Sequence, residues 1–316
     1  SGILLNLGNP FINQSTIRYH SSTGIKMDSP QSQSGVSIKI TNNTISNNTH
    51  SSNGGGISLQ GYGAVIISGN TISDNIAGEG AGIASSAYSA TISDNTIENN
   101  KAGRYQSYDG SFRLEGSGGG ISGSGGTNIR NNIIKGNQAQ DGGGIYQRSG
   151  GTVIGNTIIG NTATQEGGGY YGRGTFSDNY VLNNTAQKGG GIYIHDESSA
   201  SITGNIIAGN TGGALHYVHS NGSGTGSVSN NTIFNNIQDN GWLYNRSPVV
   251  YIKSHGEYHQ DPDAVRLEVK HNTIVGNSGS PTVSLGGTTD ANPHLFNYNN
   301  IYGNGGTYEL ESRNTL

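Results

Sequence analysis

Apolar residues along this chain come in twos and threes that alternate with polar ones, and the groups return at a steady beat. Each short run is bounded by glycine or asparagine, as in GGGIYIHDESSASITGNIIAGN at 189–210. Alternation over three to five positions is the strand period rather than the helix period. The run that opens each unit recurs as GGGISLQ at 54, GAGIASS at 80, GGGISGS at 118, GGGIYQR at 142, GGGYYGR at 167 and GGGIYIH at 189. Looser copies stand at 22 (STGIKMD), 212 (GGALHYVH), 247 (SPVVYIKSH) and 280 (SPTVSLG). A second motif trails them, for example SGNTISDN at 68, IGNTIIGN at 154, TGNIIAGN at 203 and KHNTIVGN at 270.

Ile121, Ile145, Tyr170, Ile192 and Leu215 close the first motif at intervals of 24, 25, 22 and 23 residues. Such a period marks a solenoid, in which a unit buries its apolar side only against its neighbours. Three short strands fit in each interval. The pattern therefore predicts an all-β parallel coil of about ten rungs, a single domain over 1–316. Asn95, Asn132, Asn156, Asn179, Asn205 and Asn231 fall between two strands in every unit. They are expected to take the left-handed conformation of a sharp bend and to stack their amides from rung to rung. The glycine triplet marks a second corner, where positive φ or close backbone approach excludes a side chain. The beat breaks at loop insertions over 101–117, 237–247 and 254–268. The chain opens on Ser1-Gly2-Ile3 with the repeat already under way near residue 24, which reads as a fragment of a larger protein.

Composition narrows the options. The 54 glycines would suggest disorder if they were not periodic. A net charge of −4 argues against a surface for polyanions, so no nucleic-acid partner is expected. Without cysteine there is no disulfide framework and no thiolate metal site. No apolar run reaches the roughly 20 residues that cross a bilayer, so no membrane span is expected. Abundant Asn, Ser, Thr and Gly with few charges suit an extracellular or cell-surface protein.

The GGGI and xNxI-xxN repeats, from about residue 22 to 304, resemble the pectate-lyase-like superfamily of right-handed parallel β-helix proteins. The resemblance implies that fold, with three short parallel sheets and an asparagine ladder. It implies no single activity, because lyases, hydrolases, epimerases, tailspikes and adhesins share these repeats. The glycine motif is also similar to the GGA-type repeats of bacterial surface adhesins. Motifs that would single out one activity are missing: the pectate lyase arginine motif, the NTD, GHG and RIK set of polygalacturonases, and the DPH of mannuronan epimerases. Asp261-Pro262-Asp263 is only superficially similar to the last.

With the residue after the triplet pointing inward, the next one points out. Up to residue 126 that outer face is plain scaffold, with Ser58, Ala84, Ser122 and Gly123. Beyond it Tyr146 and Arg148, Tyr171 and Arg173, Tyr193 and His195, His216 with His219, and Tyr251 and Lys253 point outward in turn. Trp242, Arg246 and His255 come from the insertions that border the same face. Aromatics with polar tips suit a polysaccharide, and cations beside them suit a uronate, since Arg pairs its hydrogen bonds with a carboxylate.

The reaction this favours is β-elimination, in which a cation neutralises the sugar carboxylate and a base removes the neighbouring proton. Arg148 and Arg173 are the expected neutralisers. His195 or His216 would act as base or acid, Tyr193 or Tyr251 as proton donor, and Lys253 as an alternative base. Tyr146, Tyr171, Trp242, Arg246 and His255 would bind the substrate. Lyases of the resembled superfamily often recruit Ca²⁺, and Asp196 with Glu197 and Asp261 with Asp263 are the acidic pairs that could ligate it. Two alternatives stay open: a glycoside hydrolase using those carboxylates in the same cleft, and a non-catalytic surface adhesin or glycan-binding module. Oligomeric state is not legible.

Overall fold

A computed structural model describes residues 2–5, 9–29, 37–105, 111–124, 126–196, 200–219, 225–238, 248–254, 266–279, 282–286, 295–306 and 308–310. Strands and turns make up this part, with no helix among the described residues. The strands pair in parallel with their counterparts one unit along, Ile145 beside Ile121 and Tyr170, Ile158 beside Ile134 and Val181. A 21-stranded sheet wraps two faces of the resulting coil, because Ile57–Ser68 and Ile83–Ser93 run unbroken from one face to the next. An 11-stranded sheet, one strand from each turn, closes the third face. This is the predicted three-sided parallel coil.

Most strands are three residues long, and the middle or flanking Ile and Val point inward. Ile121, Ile145, Ile192, Leu215 and Val250 form one stack, and Ile97, Ile134, Ile158, Val181 and Ile207 another; all are sealed from solvent. Burying each such side chain stabilises the coil by about 1.5–3 kcal/mol before entropy is counted. The first insertion folds back on itself, with Arg104–Tyr105 antiparallel to Phe112–Arg113. The other two insertions, 237–247 and 254–268, fall almost wholly outside the described residues.

The corners divide their work differently from the expectation. At the triplet of 142–144, Gly142 has φ 63°. Gly144 needs its bareness for another reason, since a Cβ there would sit 2.6 Å from the Gly169 carbonyl oxygen. At the other corners the left-handed residue is not the ladder asparagine but the one before it: Asp94, Asn131, Asp178 and Asn230, or a glycine such as Gly155. Bending and stacking are thus assigned to neighbouring residues. A ladder Asn must aim its amide along the coil axis, and the preceding residue turns the chain so that it can.

Two ladders result rather than one. Asn132 donates both its backbone N–H and its Nδ2 to the Oδ1 of Asn156, at 2.9 and 3.0 Å, and Nδ2 also reaches the Ile92 carbonyl. The same bonds link Asn156 to Asn179, Asn205 and Asn231. A second column of the same geometry runs through Asn137, Asn161, Asn184, Asn210 and Asn236. It is built from the asparagine that ends each second motif. Both columns are buried, so every amide must find partners inside the protein.

Candidate functional site

Just ahead of the triplets, Ile76–Ala77, Lys101–Ala102, Gln138–Asp141 and Thr162–Glu166 form a small parallel sheet. Ala77, Ala102 and Ala139 anchor it, fully buried. The register slips between Ala139 and Asp141, and Asp141 comes to lie beside Glu166. This corner sets the residue preceding each triplet into a column: Glu79, Ser117, Asp141, Glu166 and Lys188. On the far side of the triplets stands a second column in strict register, Ser122, Tyr146, Tyr171, Tyr193, His216 and Tyr251.

The rings of the second column stack into one continuous ladder. Centroids are 4.9 Å apart for Tyr146–Tyr171, 5.2 Å for Tyr171–Tyr193, 4.7 Å for Tyr193–His216 and 4.6 Å for His216–Tyr251. Tyr193 and His216 point away from the aliphatic core and are nevertheless only 5% and 7% exposed. With both faces covered, the three middle rings offer a sugar no flat surface.

Three of the first-column residues reach the second-column residue one turn further on. The Oε1 of Glu79 accepts from Ser122 Oγ at 2.9 Å. Tyr193 donates its hydroxyl to Glu166. Lys188 lies near enough to His216 to affect its protonation, and its Nζ is 3.8 Å from Glu166 Oε1.

This packing shifts the titrations. Burial, and then the charge of Glu166, pushes the Asp141 carboxyl up to about 6, although its Oδ1 accepts from the Glu166 N–H at 3.2 Å. Burial first, and then nearby charge, pushes the Tyr171 and Tyr193 hydroxyls well above their usual range. Burial, assisted by Lys188, pulls His216 down to about 3. Its Nδ1 is buried without a hydrogen-bond partner. At neutral pH Tyr171, Tyr193 and His216 are therefore uncharged.

On the preceding turns the same outward position carries Ser58, Ala84 and Ser122, and the surface drops into a shallow trough open to solvent. Asn53, Gln60, Glu79, Ser86, Ser124 and Arg148 line it. These turns, expected to be plain scaffold, hold a concave surface because their side chains are small.

The chain matches the family described as right handed beta helix region over residues 1–163 and again over 114–254. It belongs to that family. Overlapping matches are natural for a repeat, which can be aligned in more than one frame. No curated protein and no solved structure matches the chain.

The β-helix brings only some of the expected site residues together. Tyr146, Tyr171, Tyr193, His216 and Tyr251 meet, as rungs of one stack. Arg148 is exposed and gives Nη2 to Glu79 Oε1 at 3.0 Å. Arg173 lies half-buried beside Tyr171, its carbonyl accepting from the Tyr170 hydroxyl at 2.8 Å. The backbone of His195 pairs with Val218, and Val218 with Lys253, so those two positions fall in one file. Their side chains and that of Asp196 lie outside the described residues, as do Glu197, Trp242, Arg246, His255, Asp261 and Asp263. No group of three or more His, Asp or Glu side chains among the described residues could hold a metal ion. Asp141 and Glu166 supply two carboxylates, fewer than the six to eight oxygens a calcium ion takes.

Glu79, Asp141, Glu166 and Lys188 were not among the expected site residues. Their signal was in the sequence, since EGAG, DGGG, EGGG and KGGG put a charge ahead of four triplets in a chain with 11% charged residues.

Proposed function

We propose that this β-helix is a carbohydrate-active enzyme that cleaves glycosidic bonds at the Asp141–Glu166 pair. One observation carries the reading: two carboxylates on adjacent turns sit in different environments, Asp141 holding its proton up to about pH 6 and Glu166 hydrogen-bonded by Tyr193. A carboxyl group that burial keeps protonated beside a second one can take the role of acid in such a pair. Asp141 gives its proton to the leaving oxygen. Glu166, held by the Tyr193 hydroxyl, is the partner carboxyl group. Carboxyl groups on adjacent turns, about 4.8 Å apart along the coil, suit the short separation of retaining glycosidases, roughly 5–5.5 Å, and we adopt that geometry. Glu166 is therefore assigned as nucleophile. A substrate polysaccharide of this kind places the protein outside the cell or at its surface.

β-Elimination on a uronate-containing glycan is the second reading, favoured by Arg148 and Arg173 beside the tyrosine column. Three of the ladder rings are poorly suited to act as its base. His216 is enclosed between two rings, and Tyr171 and Tyr193 hold their protons tightly. Calcium belongs to this reading, through Asp196, Glu197, Asp261 and Asp263. A surface adhesin would show binding and no turnover.

The test is a panel of neutral and uronate polysaccharides, with and without EDTA, followed for new reducing ends and for near-ultraviolet absorbance. Reducing ends without absorbance are expected, and D141N and E166Q should each lower the rate by about 10²–10⁴-fold. Rising absorbance would transfer the assignment to elimination, and loss with EDTA would add the metal. No product from any glycan would overturn both enzymatic readings.

A further inference from the structure

The trough ahead of the aromatic ladder does not run along the coil; it crosses it. The depression lined by Glu79, Ser122 and Arg148 shares Ser86 and Ser124 with a second one, lined by Tyr62, Tyr88, Gly126 and Asn128. Joined, they form a groove that follows the strand direction and is lined by three successive turns. At about 3.3 Å per residue its floor measures roughly 13 Å from Ala84 to Tyr88.

Both ends of this groove are built. At one end Glu79 accepts from Ser122 and from Arg148 through the same Oε1, which fixes a carboxylate and a guanidinium side by side with their charges offset. At the other, Tyr62 and Tyr88 stack with centroids 5.9 Å apart. Gly61 and Gly63, at φ 98° and 126°, bulge the chain around Tyr62, and the pairing with the next turn slips between Ala87 and Ser89. This stack stops after two rings. The turn beyond Tyr88 supplies Ser124 and Gly126, and a side chain at Gly126 would collide with the Tyr88 carbonyl. Tyr88 is left 76% exposed, where the rings of the main ladder are covered by their neighbours.

We propose that this transverse groove is a separate binding site for a short segment of uncharged glycan. The exposed Tyr88 ring packs against the apolar face of one sugar. The Glu79–Arg148 pair and the Ser122 and Ser124 hydroxyls bind the hydroxyls of another, the charged donor and acceptor giving the stronger hydrogen bonds. Glu79 already pairs with Arg148 and would repel a carboxylate laid beside it, which favours a neutral chain over a uronate. The site rests on binding alone and stands whether or not Asp141 and Glu166 cleave anything.

The experiment is titration calorimetry with cellohexaose, xylohexaose and mannohexaose, and with hexagalacturonate as the charged comparator, on the full chain carrying E166Q so that no probe is cleaved. At least one neutral hexasaccharide should bind. Y88A should weaken it about tenfold, E79Q should weaken it by a similar factor, and Y88F should preserve it. Y298A, an exposed ring elsewhere, should have no effect and controls for incidental stacking. Failure of every neutral probe, binding of hexagalacturonate alone, or an affinity left unchanged by both Y88A and E79Q would overturn the proposal. Binding without turnover in the unsubstituted chain would remove the catalytic assignment and leave this one standing.

Discussion

Two stretches of the same sheet face, turns 57–124 and turns 145–251, share backbone and register and differ at one outward position. In the first that position holds Ser58, Ala84 and Ser122; in the second it holds Tyr146, Tyr171, Tyr193, His216 and Tyr251. The small residues leave a trough, and the large ones close into a stacked ridge whose middle members are buried. A solenoid repeats its side-chain vectors every 4.8 Å or so. A column of rings therefore meets itself before it meets a ligand, and a column of serines leaves room. Aromatic richness on such a coil marks reinforcement as readily as recognition, and the cleft lies where the column is interrupted.

The sharpest break in this contrast is Y193A. Removing a buried ring from the middle of the ladder should cost about 3–5 kcal/mol, seen as a lower denaturant midpoint, whereas S58A in the trough should change stability by less than about 0.5 kcal/mol. Equal effects would mean that the ridge does not hold the coil together.

Next in size is the acid response of His216. Its folded value near 3 lies below the ordinary value of 6.5, so the unfolded chain takes up the proton first. Stability should be level above pH 6.5 and fall as pH drops from there towards 3, at up to about 1.4 kcal/mol per pH unit. H216F keeps a ring in the stack and should flatten that fall in a series of melts across pH.

S122Y tests the contrast from the other side. It extends the ladder by one ring beside Tyr146, so it should add about 0.5–1.5 kcal/mol and abolish glycan binding in the trough. A stable variant that still binds would separate the groove from the small side chains that form it.

The smallest effect has the opposite pH sign. The Asp141 carboxyl titrates near 6, above the ordinary 3.8, so its contribution is complete below about pH 3.8 and is lost as pH rises through 6. D141N should therefore melt slightly higher than the unsubstituted chain at pH 7.5, the gain vanishing by pH 4, while any glycosidase activity is lost. A lower melting temperature at neutral pH would mean that Asp141 supports the fold.

The coil, its inward isoleucines and its glycine corners were legible because each is a repeated demand of backbone geometry, written once per turn. The outward order of Tyr146, Tyr171, Tyr193, His216 and Tyr251 could be read from the same register. What those rings do could not be read, because stacked and splayed rotamers share one sequence pattern. The bend was misplaced by one residue for a similar reason: Asp94-Asn95 and Asn131-Asn132 contain two residues tolerant of either role, and hydrogen bonding across turns decides between them. The acid column was overlooked because Asp141 and Glu166 are 25 residues apart and look like solvated turn residues. Their proximity depends on the small alanine-anchored sheet, whose two- to five-residue strands are a faint signal.

The asparagine ladders also give the molecule an arrow. Every linkage runs one way, with the amide donors of one turn meeting the side-chain oxygen of the turn that follows in sequence. During synthesis, a finished turn holds out donors that only a later turn, with asparagine at both corners, can satisfy. The same polarity means that two such coils could continue one another head to tail but not head to head.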